Sequence, residues 1–181
     1  AFDEQMRFES LLADLSAKFV NISPRELDDE IVNAQALICK TLGFDLSGLW
    51  QMEEGDSADW RLTHVYRPTG QPPIPDRMSA AIYFPWSLRK LLEREVMKLS
   101  RIEDLPAEAA RDIETWRHFG VKSSVALPLA TGEGPIIGVL AFDSLRVERD
   151  WPDATLKRLQ LIAEVFAGAL LRRRAEEALR K

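Results

Sequence analysis

The sequence predicts an α+β domain, an antiparallel sheet with helices gathered on its faces, and three observations carry that prediction. Residues 1–43 hold two successive apolar stripes at spacings of three and four, the period of amphipathic helices. Gly120 to Ser144 reads as two apolar strands joined by a Gly-rich turn, and a helical pattern then runs from Pro152 to Lys181. Helices and strands segregated in this way favour antiparallel pairing. A chain of 181 residues suits one domain with an appended helix, large enough to bury roughly 70% of its unfolded surface.

Phe8, Leu11, Leu12, Leu15, Phe19 and Ile22 form the first stripe, and that helix is expected to end near Asn21. Ser23-Pro24-Arg25-Glu26 then combines an N-cap hydroxyl, a proline at the first helical position and a glutamate placed to return a bond to the cap. The second helix starts there, buries Leu27, Ile31, Ala34, Ile38 and Leu42, and stops at Gly43. Leu46 to Met52 is a predicted strand. Arg61 to Arg67 is another, with Leu62, His64 and Tyr66 alternating against Thr63 and Val65. The polar stretch from Glu53 to Asp59 is expected to connect them as a hairpin. Between Pro68 and Pro85, five prolines in eighteen residues argue for an irregular loop lying over the domain as a lid.

A short helix follows Pro85, with Trp86, Leu88, Leu91 and Leu92 inward; Val96 either closes its stripe or opens a short strand to Leu99. Pro106 to His118 reads as another helix, left at Gly120. Pro128 falls inside the first strand of the closing pair, so it is expected at a strand end or where no ladder donor is needed. Asp150-Trp151-Pro152-Asp153 opens the final helix with a cap, an early proline and first-turn acids. Thirty residues of helix would extend about 45 Å, more than a small sheet needs as cover. Leu156, Leu159, Ala163, Phe166 and Leu170 make one seam; its continuation meets Arg173, Glu177 and Arg180, while Leu171, Ala175 and Ala178 start a weaker one. The first seam suits the domain's own core and the second suits another chain, or else is a solvated helix end.

Composition removes several classes of function. Lys and Arg number 24 against 29 Asp and Glu, a net charge of −5, which gives no general electrostatic reason for nucleic-acid binding. Arg172, Arg173 and Arg174 are followed directly by Glu176 and Glu177, so they read as a charged helix face that sets register across a dimer. Cys39 is the one cysteine, which excludes an intrachain disulfide and CxxC redox chemistry and fits a reducing cytoplasm. No apolar run approaches the roughly 20 residues of a membrane helix, and no signal-peptide pattern opens the chain. The chain begins at Ala1 without Met, the form of a processed protein or a piece of a longer one, so any membrane anchor or effector domain would lie outside it.

Gly120-Val121-Lys122-Ser123-Ser124, Leu127-Pro128-Leu129 and Ile137-Gly138-Val139-Leu140-Ala141-Phe142 together resemble a GAF domain, over roughly residues 24 to 170. The ending Arg174-Ala175-Glu176-Glu177-Ala178-Leu179-Arg180 is similar to helices that join such domains to PAS or histidine kinase modules. The resemblance implies a sheet of about six antiparallel strands, with terminal helices on one face and a small-molecule pocket on the other. It also implies dimerisation through the terminal helices. The expected organisation is an N-terminal helix over 1–22, a sensor domain over 23–170 and an exit helix over 171–181 leading to an effector such as a histidine kinase of a two-component system. On this reading the chain is a cytoplasmic regulatory sensor and not itself an enzyme; the alternatives are a ligand-free dimerisation domain and, less favoured, an enzyme built on the same fold.

Within the family, covalent bilin attachment uses a cysteine near the pocket, whereas Cys39 falls among Leu37, Ile38 and Leu42 of a helix. The cyclic-nucleotide signature N-K-x(n)-F-x3-D-E is absent. Free methionine sulfoxide reduction needs an attacking and a resolving thiol. Only His64 and His118 offer imidazoles; one reads as a sheet-face or pocket group and the other as a helix C-terminal group. No covalent bilin, haem or metal is therefore expected, and the ligand is left unnamed. The candidate ligand-binding set is Tyr66, Tyr83, Trp86, Trp116 and Phe119 as stacking surface, with His64, Ser123 and Ser124 as polar groups. Taken singly, Trp86 and Trp116 suit anchors of short helices to the sheet better than ligand contacts.

Overall fold

The computed structural model describes residues 2–68, 70 and 73–180. Thr69, Gln71 and Pro72 of the proline-rich stretch, and Ala1 and Lys181 at the ends, lie outside the described residues. Helices α1 (Phe2–Val20) and α2 (Pro24–Leu42) lead into β1 (Leu46–Glu53) and β2 (Asp56–Tyr66). After β3 (Arg77–Ser79) come α3 (Ala80–Tyr83), α4 (Pro85–Leu92) and β4 (Met97–Leu99), then α5 (Ala110–Phe119), β5 (Ser123–Leu129), β6 (Gly138–Ser144) and α6 (Asp153–Leu179). The six strands form one antiparallel sheet in the order β3-β2-β1-β6-β5-β4.

Strand alternation divides the interior into two layers. Leu49, Val125, Leu127, Leu129, Leu140 and Phe142 point to the face covered by α1, α2 and α6, where Phe19 packs on Phe166 with ring centres 5.3 Å apart. Trp50, Trp60, Ala126 and Val139 point to the other face, where Leu91 of α4 and Trp116 of α5 meet them. The long helix α6 buries Ile162, Ala167 and Ala169 beside the predicted seam, a stripe wide enough to rest on both the sheet and the two N-terminal helices.

Several local expectations are corrected. Ser23 takes the extended conformation of an N-cap, but its hydroxyl makes no capping bond; the Glu26 amide donates to the Ser23 carbonyl instead. Gly43 does end α2 in the left-handed region, at φ 79°, which favours glycine. β2 starts at Asp56 and not near Arg61, because the hairpin needs only the Glu54-Gly55 turn; the polar Asp56–Asp59 stretch is strand at the sheet margin, where Asp59 pairs with Ser79 of β3. β3 itself falls inside the stretch expected to be irregular. Pro128 stands beyond the β4 ladder, which engages β5 only from Ser124 to Ala126.

The most consequential departure is a register shift in β1–β2 between Leu49 and Trp50: Leu49 pairs with His64 but Trp50 pairs with Leu62, leaving Thr63 as the extra residue. A β-bulge reverses side-chain alternation beyond it. Leu62 consequently packs with the Trp50 layer, whereas Tyr66 packs with the helix layer and His64 bonds to α2. The strict alternation of Leu62, His64 and Tyr66 does not hold.

Candidate functional site

A cavity of about 90 Å³ lies between the sheet and the α3–α5 layer, and strand register explains it. Gly48, Ala141 and Ala126 stand side by side on β1, β6 and β5, a row of small residues that leaves the floor open. The adjoining row is Leu46, Asp143 and Ser124. Trp50 and Trp60 form one wall, Trp116 and Phe119 of α5 another, and Ile74, Met78 and Phe84 close the top with Ser87 and Leu91 of α4.

Asp143 is the one ionisable side chain among the described residues of that lining. Ser124 Oγ donates to its Oδ1 at 2.5 Å, and the residue is only partly buried. Burial pushes its carboxyl up to about 6, while the Ser124 hydrogen bond pulls the other way. A buried carboxylate with one protein donor and no cation beside it costs stability, and perturbed groups of this kind mark functional cavities.

The α4 wall is held from a distance. Asp112 of α5, fully buried, accepts from the Trp86 amide at 3.1 Å, the Ser87 amide at 2.8 Å and the Ser87 hydroxyl at 2.7 Å. No residue of α4 caps its own N-terminus with a side chain, so the cap comes from another helix. Next to the cavity, and sharing Met78 and Phe119 with it, is an open hollow of about 680 Å³ lined by Pro75, Arg77, Tyr83, Arg111, Glu114, Thr115 and His118.

Of the residues singled out from sequence, Trp116, Phe119 and Ser124 line the cavity, and Tyr83 lines the outer hollow. Trp86 packs against the same layer under Lys90, whose ammonium lies 4.9 Å from its ring centre. Trp86 lines neither space, and three further residues lie away from both. His64 and Tyr66 face the helix layer because of the bulge. Ser123 precedes Ser124 by one residue and so points to the opposite face, where it donates to the Ser100 carbonyl and accepts from the Arg149 amide, both at 2.7 Å. Asp143, Trp50, Trp60 and Gly48 were missed. The alternation of Val139, Ala141 and Asp143 against Leu140 and Phe142 was the signal that could have found Asp143.

On the helix side, three consecutive arginines near the end of α6 each hold a different element. Arg172 Nη2 donates to the Phe19 carbonyl at the end of α1 (2.7 Å), Arg173 Nη1 to Asp28 of α2 (2.8 Å) and Arg174 Nη2 to Gln51 of β1 (2.6 Å). His64 Nε2 shares Asp28 Oδ1 at 2.7 Å while its Nδ1 lies 2.7 Å from Thr63 Oγ1; the Nε2–H tautomer satisfies both. Burial raises the Asp28 carboxyl but is outweighed by the His64 and Arg173 hydrogen bonds, so it sits below its usual range; burial lowers His64, against the pull of Asp28. Gln51 also donates to Thr63 at 2.9 Å, tying both ends of the network to the bulge. The arginines thus reach back to the domain's own elements, where a charged helix face that sets register across a dimer was expected.

The GAF domain family model matches residues 26–170. The chain belongs to the GAF domain family. No curated protein matches this GAF domain in sequence. Among solved structures, it is similar to the phycocyanobilin-bound GAF domain of a cyanobacterial phytochrome: TM-score 0.74, 19% identity, covering 93% of this chain and 96% of that one. It is also similar to residues 122 to 287 of a methyl-accepting chemotaxis protein (TM-score 0.70, 16% identity, 91% and 99% covered). A third is the free methionine-R-sulfoxide reductase of Neisseria meningitidis in complex with its substrate (TM-score 0.69, 14% identity, 93% and 91% covered). At these identities the likeness is one of fold.

The phytochrome neighbour overturns one expectation. Covalent bilin was set aside because Cys39 lies among apolar residues of a helix, and Cys39 is buried in the helix layer; yet a solved GAF domain of like fold is bilin-bound, so the position of Cys39 does not remove bilin from consideration. The inner cavity here, at about 90 Å³, is smaller than the ~150 Å³ that accommodates benzene in an engineered core. A group of tetrapyrrole size would have to occupy the outer hollow as well. Among the described residues no helix is long and apolar enough to cross a membrane.

Proposed function

We propose that this GAF domain is a regulatory sensor whose inner cavity binds a small molecule and whose last helix passes the change to an effector in the same polypeptide, such as a histidine kinase. The observation that carries the proposal is the joining of cavity and helix through two strands. Trp50 lines the cavity, the next residue Gln51 faces the other side of β1, and Gln51 holds Arg174. A ligand that moves Trp50 and Leu62 displaces the bulge, and with it Gln51, which holds Arg174, and His64, which shares Asp28 with Arg173. Packed interfaces of this kind switch between discrete arrangements, and a ligand shifts them by its differential affinity. Cavity size supports a ligand whose head enters the inner space while its body occupies the outer hollow; a non-covalently held bilin belongs among the candidates. Exposed Phe2 and Met6 on α1 and Leu161 on α6 support homodimerisation through the terminal helices.

Native mass spectrometry and an absorbance spectrum of freshly purified protein test this. A non-covalently held molecule, released on denaturation, is the expected result. Bare protein whose tryptophan emission also fails to respond to any of a panel of small metabolites contradicts it and favours a ligand-free dimerisation domain.

A further inference from the structure

Building on the proposal that the inner cavity binds a ligand, we propose that it takes the head of a small organic ammonium, with Asp143 Oδ2 as its counter-ion. Four observations converge on that chemistry. Ser124 occupies Oδ1 of Asp143 at 2.5 Å, and no other side chain among the described residues donates to this carboxylate. The small-residue row of Gly48, Ala141 and Ala126 lies directly beside it in the sheet, so the space next to the carboxylate is open. The surrounding surface is apolar, with the rings of Trp50, Trp60 and Trp116 in the lining, and aromatic faces attract cations most strongly where water is excluded. No basic side chain among the described residues lines the cavity, so the charge of an ionised Asp143 is left for a ligand to neutralise. A metal ion would need several oxygen ligands, and the lining supplies only one carboxylate.

The groups that face Asp143 are few. Ser124 comes from β5 and Ser87 from α4, while α5 and β2 contribute aromatic side chains. Behind the sheet, the Cys39 thiol of α2 feels its charge, and burial pushes that thiol far up so that it stays protonated. Asp45, the other acidic group near Cys39, is already bound by Arg146 Nε at 2.7 Å and by the Leu145 amide at 2.6 Å. Asp143 is therefore the group in the cavity that titrates near neutrality, with burial holding it at about 6. A bound ammonium favours the ionised form and releases a proton from this site in mildly acidic solution.

The test is a titration of tryptophan emission with three probes of similar shape: isobutylammonium, isobutanol and isobutyrate. At pH 8, isobutylammonium is expected to bind about tenfold tighter than isobutanol, with isobutyrate weakest. The preference is expected to shrink on the wild-type protein at pH 5, where the carboxyl takes up its proton, and to fall within about twofold in Asp143→Asn. That variant should fold. The folded carboxyl titrates above the ordinary aspartate value of 3.8, so its stabilising protonated form is present below that value and is lost as pH rises through about 6; removing the charge raises the melting temperature at pH 8. Equal affinity for isobutylammonium and isobutanol at pH 8, tighter binding of isobutyrate, or a preference that survives Asp143→Asn or pH 5 overturns the ammonium assignment and leaves the ligand cavity standing. Failure of all three probes to alter the emission removes the cavity reading, and the assignment with it.

Discussion

Gly138→Ala is expected to destabilise the domain by about 3–5 kcal/mol, the largest effect of any single methyl group added to the sheet. A Cβ built on Gly138 would lie 2.1 Å from the Trp50 carbonyl oxygen and 3.1 Å from Gln51 Cα. Both are backbone atoms of β1, with which β6 pairs at this point, so no side-chain rotation relieves the clash and the central strands must part. Gly48→Ala is the contrast. Its Cβ would meet Leu62 Cδ1 at 3.2 Å and Trp50 Nε1 at 3.3 Å, side-chain atoms that can yield towards the cavity, and about 1 kcal/mol is expected. Urea denaturation of the two variants checks the pair; a Gly138→Ala protein within 1 kcal/mol of wild type would show that β1 and β6 are not so closely packed.

Asp112→Ala is expected to cost about 3 kcal/mol and to loosen α4 specifically. The substitution removes three hydrogen bonds to a fully buried carboxylate and leaves the first amides of α4 unsatisfied; losing a helix cap costs about 1 kcal/mol, and orphaned buried donors add about 1–3 more. Ser87→Ala loses only the hydroxyl donor, so a smaller cost of about 1 kcal/mol is expected. Hydrogen exchange distinguishes a local from a global effect: Asp112→Ala should raise exchange in α4 more than in β5 or β6. Unchanged protection of α4 would show that packing of Leu91 alone holds this wall.

The parts of the fold legible in the sequence were those set by local rules. Gly43 closes α2 because a left-handed residue is needed there, and the closing strands with α6 follow from their apolar periods. The small edge strand β3 carried no period, since its three residues, Arg77, Met78 and Ser79, are too few to show one. The candidate site was harder to read because it depends on pairing. Thr63 has nothing in its identity that announces a bulge, yet the bulge decides that Leu62 serves the cavity side and His64 the helix side. Trp116, Phe119 and Ser124 were found as aromatic and polar groups near strand ends. Asp143 was passed over because one acidic residue in an apolar strand gains meaning only when Gly48 and Ala126 are placed beside its neighbour Ala141. The arginine clasp was hidden for the same reason: the sequence shows Arg172, Arg173 and Arg174 in a row, but not that Phe19, Asp28 and Gln51 converge on them.

Hydrogen exchange at the end of α6, measured with and without a ligand that saturates the tryptophan response, tests the link between cavity and helix most directly. Occupancy is expected to change protection over residues 171–179 in the wild-type protein. The change should vanish when Arg172, Arg173 and Arg174 are all replaced by Ala, although the ligand still binds. Saturation of the cavity with no change in exchange along that segment would contradict the account.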